Sequence, residues 1–249
     1  HIADVGHYVK KGSELDKEAF LRGNSAYFYD RVIPMLPEQL SNGICSLRPN
    51  VDRFTMSVFI TFDRAGKMKS WKTARTIIRS NARLTYEQVM GTLDGKETIP
   101  ARSLHNIKKD QIVNLLNDLN SLAQQLRSRR FSQYALDIDV PEMEPVVNEE
   151  GIMTGIRAVV SDISHQLVEE CMIAANEAVA RSLAEAGYPV ISRFHKPPDE
   201  AKIFALSAEL DNLNVPHANL RERSAMCSLL RETRTHPLRH HISVMVLRS

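Results

Sequence analysis

Cysteine, long apolar runs and an excess of either charge are all scarce in this 249-residue chain, and each scarcity removes a class of protein. Cys45, Cys171 and Cys227 are too few and too scattered for a disulfide framework, and none has the C-x-x-C partner of a structural zinc site. A reducing, cytoplasmic setting is the expectation. No stretch approaches the ~20 apolar residues that span a bilayer, and the N-terminus lacks a basic-then-apolar signal pattern, so no membrane association is expected. Lys and Arg number 32 against 30 Asp and Glu, a formal net charge of +2. Any nucleic-acid groove therefore has to be local. Nucleophile-elbow and zinc-protease motifs are missing, as are internal repeats and low-complexity tracts. The chain opens on His1 without an initiator methionine, which reads as an excised segment.

What is present is an interleaving of helix and strand patterns. Residues 2–9 read as a strand. Ser13, with Asp16 in the following turn, caps a short helix that Gly23 closes. Residues 27–49 have little periodicity and are punctuated by Pro34, Pro37, Gly43 and Pro49, a long structured loop. Phe54, Met56, Val58, Ile60 and Phe62 alternate with Thr55, Ser57 and Thr61, the pattern of a half-buried strand, and a turn at 63–66 returns the chain along 68–78 as a hairpin. Ile112, Leu115, Leu116, Leu119, Leu122, Ala123 and Leu126 mark an amphipathic helix ending in Arg127, Arg129 and Arg130. Strands follow at 134–140 and 152–160, then a helix through Leu167, Cys171, Ala174, Ala178 and Leu183 stopped by Gly187 and Pro189, and another over 199–212. The length permits one large domain or two small ones, and the class is α/β or α+β.

Taken alone, the residues suited to chemistry leave alternatives open. Asp137 and Asp139 flank Ile138 and share one face of the strand expected there, so they can hold Mg²⁺ or simply face solvent. His236 and His240 have the spacing of a helical metal pair, but Pro237 lies between them and no acidic base accompanies them, which favours a basic surface with His241, Arg234 and Arg239. Tyr27, Phe28 and Tyr29 beside Arg22 and Arg31, and Tyr86 after Arg79 and Arg83, fit base stacking with guanidinium groups on phosphates, or rings in the core.

Several blocks are more specific in combination: HIADV (1–5), GSELDKEA (12–19), RGNSAY (22–27), DRVIPMLPEQLSNGICSLRP (30–49), DRFTMSV (52–58), IIRSNARLTYEQV (77–89), ALDIDVPE (135–142), LVEECMIAANEAVA (167–180) and SRFHKPPD (192–199). In this order and spacing the chain resembles the RNB catalytic domain of the ribonuclease II / ribonuclease R exoribonucleases, closely to about Asp199 and more loosely beyond. The resemblance implies a mixed, largely antiparallel sheet with packed helices. It makes residues 1–249 a single-domain internal segment of such a catalytic domain, with flanking OB-fold domains elsewhere in the complete protein.

The activity it implies is metal-dependent, 3′-to-5′ hydrolysis of single-stranded RNA to nucleoside 5′-monophosphates. The Mg²⁺-holding aspartates are expected just upstream of His1 and an RNA-phosphate arginine motif beyond Ser249, so no metal ligand is assigned and the isolated segment is expected to be inactive. Within it, Tyr86 corresponds to a tyrosine packed on the 3′-terminal nucleotide, Glu169 to a glutamate beside that nucleotide, and Tyr27 to a ring that stacks on RNA. Ile138 stands where many members carry a stacking phenylalanine, which implies looser holding. Asp4 is read as structural. A relative that has lost its acids and acts as an RNA-binding regulator is the alternative.

Overall fold

The computed structural model describes residues 1–249 except Tyr29, Glu97, Asp139, Pro141, Glu149, Val160 and His195, together with the side chains of Glu142 and Val159. Its order is β1 (Ile2–Ala3), α1 (Val5–Tyr8), α2 (Glu14–Arg22), β2 (Ala26–Tyr27), β3 (Val32–Ile33), β4 (Asp52–Phe62), β5 (Met68–Arg79), α3 (Tyr86–Leu93), α4 (Lys109–Ser132), β6 (Glu142–Val147), β7 (Met153–Val159), α5 (Ile163–Glu185), α6 (Glu200–Asn212), α7 (Arg223–Glu232) and α8 (Arg239–Arg248). β1 pairs with β4, β2 with β3 and β4 with β5, each antiparallel, as the resemblance implies. No described helix is long and apolar enough to cross a membrane.

Two compact units divide the chain, one of 1–124, 147–153 and 161–188, the other of 125–146, 154–160 and 189–249. The first is organised on the β4–β5 hairpin. Its register runs from Asp52 opposite Arg79 to Ile60 opposite Trp71, with a shift at Thr61/Phe62, and β1 joins the other edge of β4. Alternation places Thr55 and Ser57 on one face with Thr76 and Ala74 opposite them. That hydroxyl face is the buried one: Thr55 and Ser57 are 0% and 1% exposed, while Phe54, Met56 and Ile77 are exposed. Periodicity in the sequence thus located the strand, but its most buried positions are polar. They are tolerated because hydroxyls both donate and accept. Thr55 Oγ1 lies 2.8 Å from Thr76 Oγ1, Ser57 Oγ 2.5 Å from the same atom, and His1 Nδ1 2.6 Å from Ser57 Oγ. Among the described residues no buried side-chain polar atom is left without a partner.

The strand expected over 2–9 ends at Ala3. Asp4 N–H donates to Phe54 O and the Asp4 carboxylate, almost fully buried, pairs with Arg75 at 3.3 Å, after which the chain turns into α1 and His7 stacks on Phe54. Asp4 is therefore structural, consistent with its assignment from sequence. Helix α2 forms where its caps predict: Ser13 accepts from Asp16 N, and Gly23 takes a positive φ of 73°. The 27–49 stretch is mostly irregular but contains the β2–β3 pair and a π-helical segment at Gln39–Ile44.

Helix α5 packs against β4 and is tied to β5 by Trp71, whose Nε1–H donates to Ser182 Oγ at 2.7 Å. Leu167, Glu170, Ala174 and Ala178 recur at helical spacing as its buried stripe. Helix α3 rests on a small core of Ile99, Ile112 and Leu116 with Val89 and Leu93 packed against it, and its length is braced by the loop that follows. Thr98 Oγ1–H donates to Gln88 O at 2.7 Å, which brings the Thr98 methyl to 2.4 Å from where a Cβ on Gly91 would sit.

In the second unit, Ile203, Leu206 and Leu210 of α6, Met226, Leu229 and Leu230 of α7, and Ile242, Met245 and Val246 of α8 form one core. Here the strand expected over 134–140 is absent among the described residues. Tyr134 leaves α4 at a φ of 63°, and the next carbonyls are taken by side chains of α7: Arg223 Nε donates to Tyr134 O at 2.6 Å and Cys227 Sγ to Ala135 O. The alternation survives without a ladder, since Leu136 and Ile138 pack on the core and Asp137 pairs with Arg127 and Arg234. Strand pairing begins later, in the β6–β7 hairpin, close to the strand expected over 152–160.

The crowding at Gly91 yields a test of how α3 is held. Gly91→Ala is expected to destabilise the protein by about 1–3 kcal/mol in denaturant titration, despite alanine's better helix propensity. Adding Thr98→Ser, which deletes the obstructing methyl while keeping the hydroxyl, is expected to recover most of the loss.

Candidate functional site

Tyr86 is the first residue of α3. Thr85 caps the helix in a reciprocal box with Gln88, Thr85 Oγ1 accepting from Gln88 N and Gln88 Oε1 from Thr85 N. This fixes the first turn, and with it the root of the Tyr86 side chain. Asp162 does the same for α5. Its Oδ1 accepts from Ser164 N at 3.0 Å, Ser164 Oγ at 2.5 Å and His165 N at 3.3 Å, and it also meets the His165 ring nitrogen Nδ1 at 2.8 Å.

The two helix starts meet through their rings. Tyr86 and His165 are stacked, with centroids 3.9 Å apart and planes inclined by 16°. Burial alone would raise the Asp162 carboxyl's pKa, but the hydrogen bonds from Ser164 and His165 outweigh it and hold the group below its ordinary value. Glu87, beside Tyr86, is also held low, by its own backbone N–H and the Thr85 hydroxyl. Both acids stand where the helix dipole favours negative charge.

Glu169 follows His165 by four residues, so the two lie above one another on one face of α5, ~6 Å apart along its axis. It is exposed, whereas the next residue, Glu170, is 2% exposed on the packing stripe. The structure thus brings Tyr86 to the face of α5 that carries Glu169. Asp162 and His165 belong to the same constellation and were not singled out from sequence. The available signal was an Asp two residues before Ser164 at the head of a helical apolar pattern, an N-cap that places His165 in the first turn.

The remaining sequence candidates fall elsewhere. Tyr27, in β2, is 80% exposed and Phe28 is 55% exposed, so neither is a core ring; Tyr29 lies outside the described residues. Arg31 sits over the Phe28 ring, while Arg22 is engaged by Glu18 and Pro34 O, and Arg79 forms two hydrogen bonds to Asp52. Ile138, in the second unit, packs against the core there.

Asp137 is occupied by two arginines, and Asp139 lies outside the described residues, so the expected pair on a strand face is not observed. His236 lies in the turn before α8 and accepts from Leu238 N, whereas His240 and His241 begin that helix, so the i, i+4 metal-pair geometry does not form. No group of three or more His, Cys, Asp or Glu able to hold a metal stands together among the described residues.

The cap at Asp162 predicts a pH dependence. Its folded pKa lies below the ordinary 3.8, so the stabilisation is present above that value and is lost as pH falls through the lower folded value. Asp162→Ala is expected to cost about 1 kcal/mol near neutral pH and to flatten the acid side of the stability curve. Unfolding titrations of parent and variant between neutral pH and the acid range read both effects.

An RNB domain family model matches residues 1–249. Among curated relatives, Ribonuclease R of Aquifex aeolicus is 40% identical over 213 residues, 86% of this chain and 29% of that protein. Ribonuclease R of Thermotoga maritima is 39% identical over 252 residues, 100% of this chain and 34% of that protein. A solved structure of Mycoplasma genitalium RNase R in complex with double-stranded RNA superposes at a TM-score of 0.90 with 32% identity, covering 99% of this chain and 43% of that one. The chain thus spans about a third of the length of the curated relatives it matches. With the whole of it covered by the family model and its fold shared at that TM-score, the chain belongs to the RNB domain family.

Proposed function

We propose that the complete polypeptide is a metal-dependent 3′-to-5′ exoribonuclease that hydrolyses single-stranded RNA to nucleoside 5′-monophosphates. The observation that carries this reading is the similarity to Ribonuclease R along the full chain. A Mycoplasma genitalium relative solved with ribose-methylated single-stranded RNA supports the substrate class.

In this reading Tyr86 stacks on the 3′-terminal nucleotide, an interaction worth about 1–3 kcal/mol per base. Glu169 has only acceptors when ionised. It repels phosphate and suits the hydroxyl donors of the terminal ribose. Tyr27 offers an exposed ring to RNA, and Ile138 an aliphatic contact without π overlap. A bound Mg²⁺ would supply the activation of water and would offset charge developing on the phosphate. The described residues bring no ligand set together for it, and we place its carboxylates, by the family resemblance, upstream of His1. The same resemblance adds flanking OB-fold domains and a cytoplasmic setting.

The test uses the purified complete polypeptide, a 5′-labelled single-stranded RNA and Mg²⁺. Progressive shortening from the 3′ end with release of 5′-monophosphates, abolished by chelation, is the expected result. Tyr86→Ala is expected to raise KM about tenfold or more. RNA binding without shortening would overturn the enzymatic reading and leave an RNA-binding regulator. The isolated 1–249 segment is expected to degrade nothing under the same conditions.

A further inference from the structure

We infer that His165 is a positioning residue: clamped by Asp162, it backs one face of Tyr86, so that the nucleotide-stacking platform is a two-ring stack with a single open face. The inference rests on the assignment of Tyr86 to the 3′-terminal nucleotide made above. Stacking at 3.9 Å and 16° leaves no room for a base between the rings. Tyr86 is nonetheless 46% exposed, and the base is placed on the ring face opposite His165. An isolated tyrosine on a helix end turns about its side-chain torsions, and holding it still is part of the cost of binding. Here that turning is already blocked.

His165 in turn is held through both its backbone and its ring. Its backbone N–H and its Nδ1 both meet Asp162 Oδ1, and the same oxygen takes the Ser164 N–H and hydroxyl. The carboxylate that starts α5 therefore also sets the plane of the ring on which Tyr86 rests. Since Glu169 stands on the same face of α5 four residues on, the open face of Tyr86 and the Glu169 carboxylate are referenced to one rigid helix.

The complete polypeptide carrying His165→Ala, His165→Phe, Tyr86→Ala and the His165→Ala/Tyr86→Ala pair tests this, with KM and kcat measured on a short single-stranded RNA. Removing the backing ring is expected to raise KM about three- to tenfold with kcat little changed. Phenylalanine, which keeps the stack but not the Asp162 contact, is expected to restore most of that loss. In the Tyr86→Ala background the His165→Ala change is expected to add nothing, because it acts through the missing ring.

A parental KM for His165→Ala, an equal loss in the Tyr86→Ala background, or failure of phenylalanine to restore binding would each overturn the inference. If Tyr86→Ala itself leaves KM unchanged, the assignment of Tyr86 fails and the backing role with it. If Tyr86→Ala raises KM and His165→Ala does not, the backing role alone fails.

Discussion

One carboxylate oxygen, Asp162 Oδ1, holds the candidate site together. It accepts from two backbone amides of α5, from a serine hydroxyl and from the His165 ring, and that ring carries Tyr86 at the start of a second helix. A cap is ordinarily a local matter, satisfying amides that a helix leaves without partners. Here it also sets the orientation of an aromatic pair between two helices. The first turns of α3 and α5 are thereby held in one arrangement, and the Tyr86 ring and the Glu169 carboxylate are held with them.

The scaffold beneath is built to keep those helices still. Trp71 pins α5 to the hairpin, and Gly91 lets Thr98 reach the carbonyl of Gln88 and brace α3. The hairpin's buried face is a chain of hydroxyls satisfied by one another. Burying polar groups costs stability unless each finds a partner, and geometry that satisfies all of them is restrictive. Such a cluster favours one strand register, since sliding by one residue would exchange Thr55 and Ser57 for phenylalanine and methionine. Placement of the helices follows from that register.

Much of this was legible in the sequence where the cause is local. Capping residues gave α2, helical spacing gave α4 and α5, and alternation gave the hairpin, because each rests on neighbours a few positions apart. What sequence misplaced depends on partners far along the chain. Residues 134–138 alternate like a strand, but α7 side chains take the carbonyls a ladder would have used. Residues 2–9 stop being a strand where Asp4 finds Arg75.

The β4 pattern showed which residues share a face but not which face is buried, since that is decided by what packs on it. At the site, resemblance brought out Tyr86 and Glu169, whereas His165 became visible only when two helix starts, remote in sequence, were seen to meet. Ile138 illustrates the reverse. The resemblance puts it at a stacking position, whereas its side chain packs on the core of the second unit.

The central claim is that RNA meets Tyr86 on the face turned away from His165. A structure of the complete polypeptide bound to a single-stranded RNA with a free 3′ end tests it most directly. The account predicts the terminal base parallel to the Tyr86 ring on that open face, with the His165–Tyr86 stack and the Asp162 contact intact. A terminal base remote from Tyr86, or one inserted between Tyr86 and His165, would contradict it.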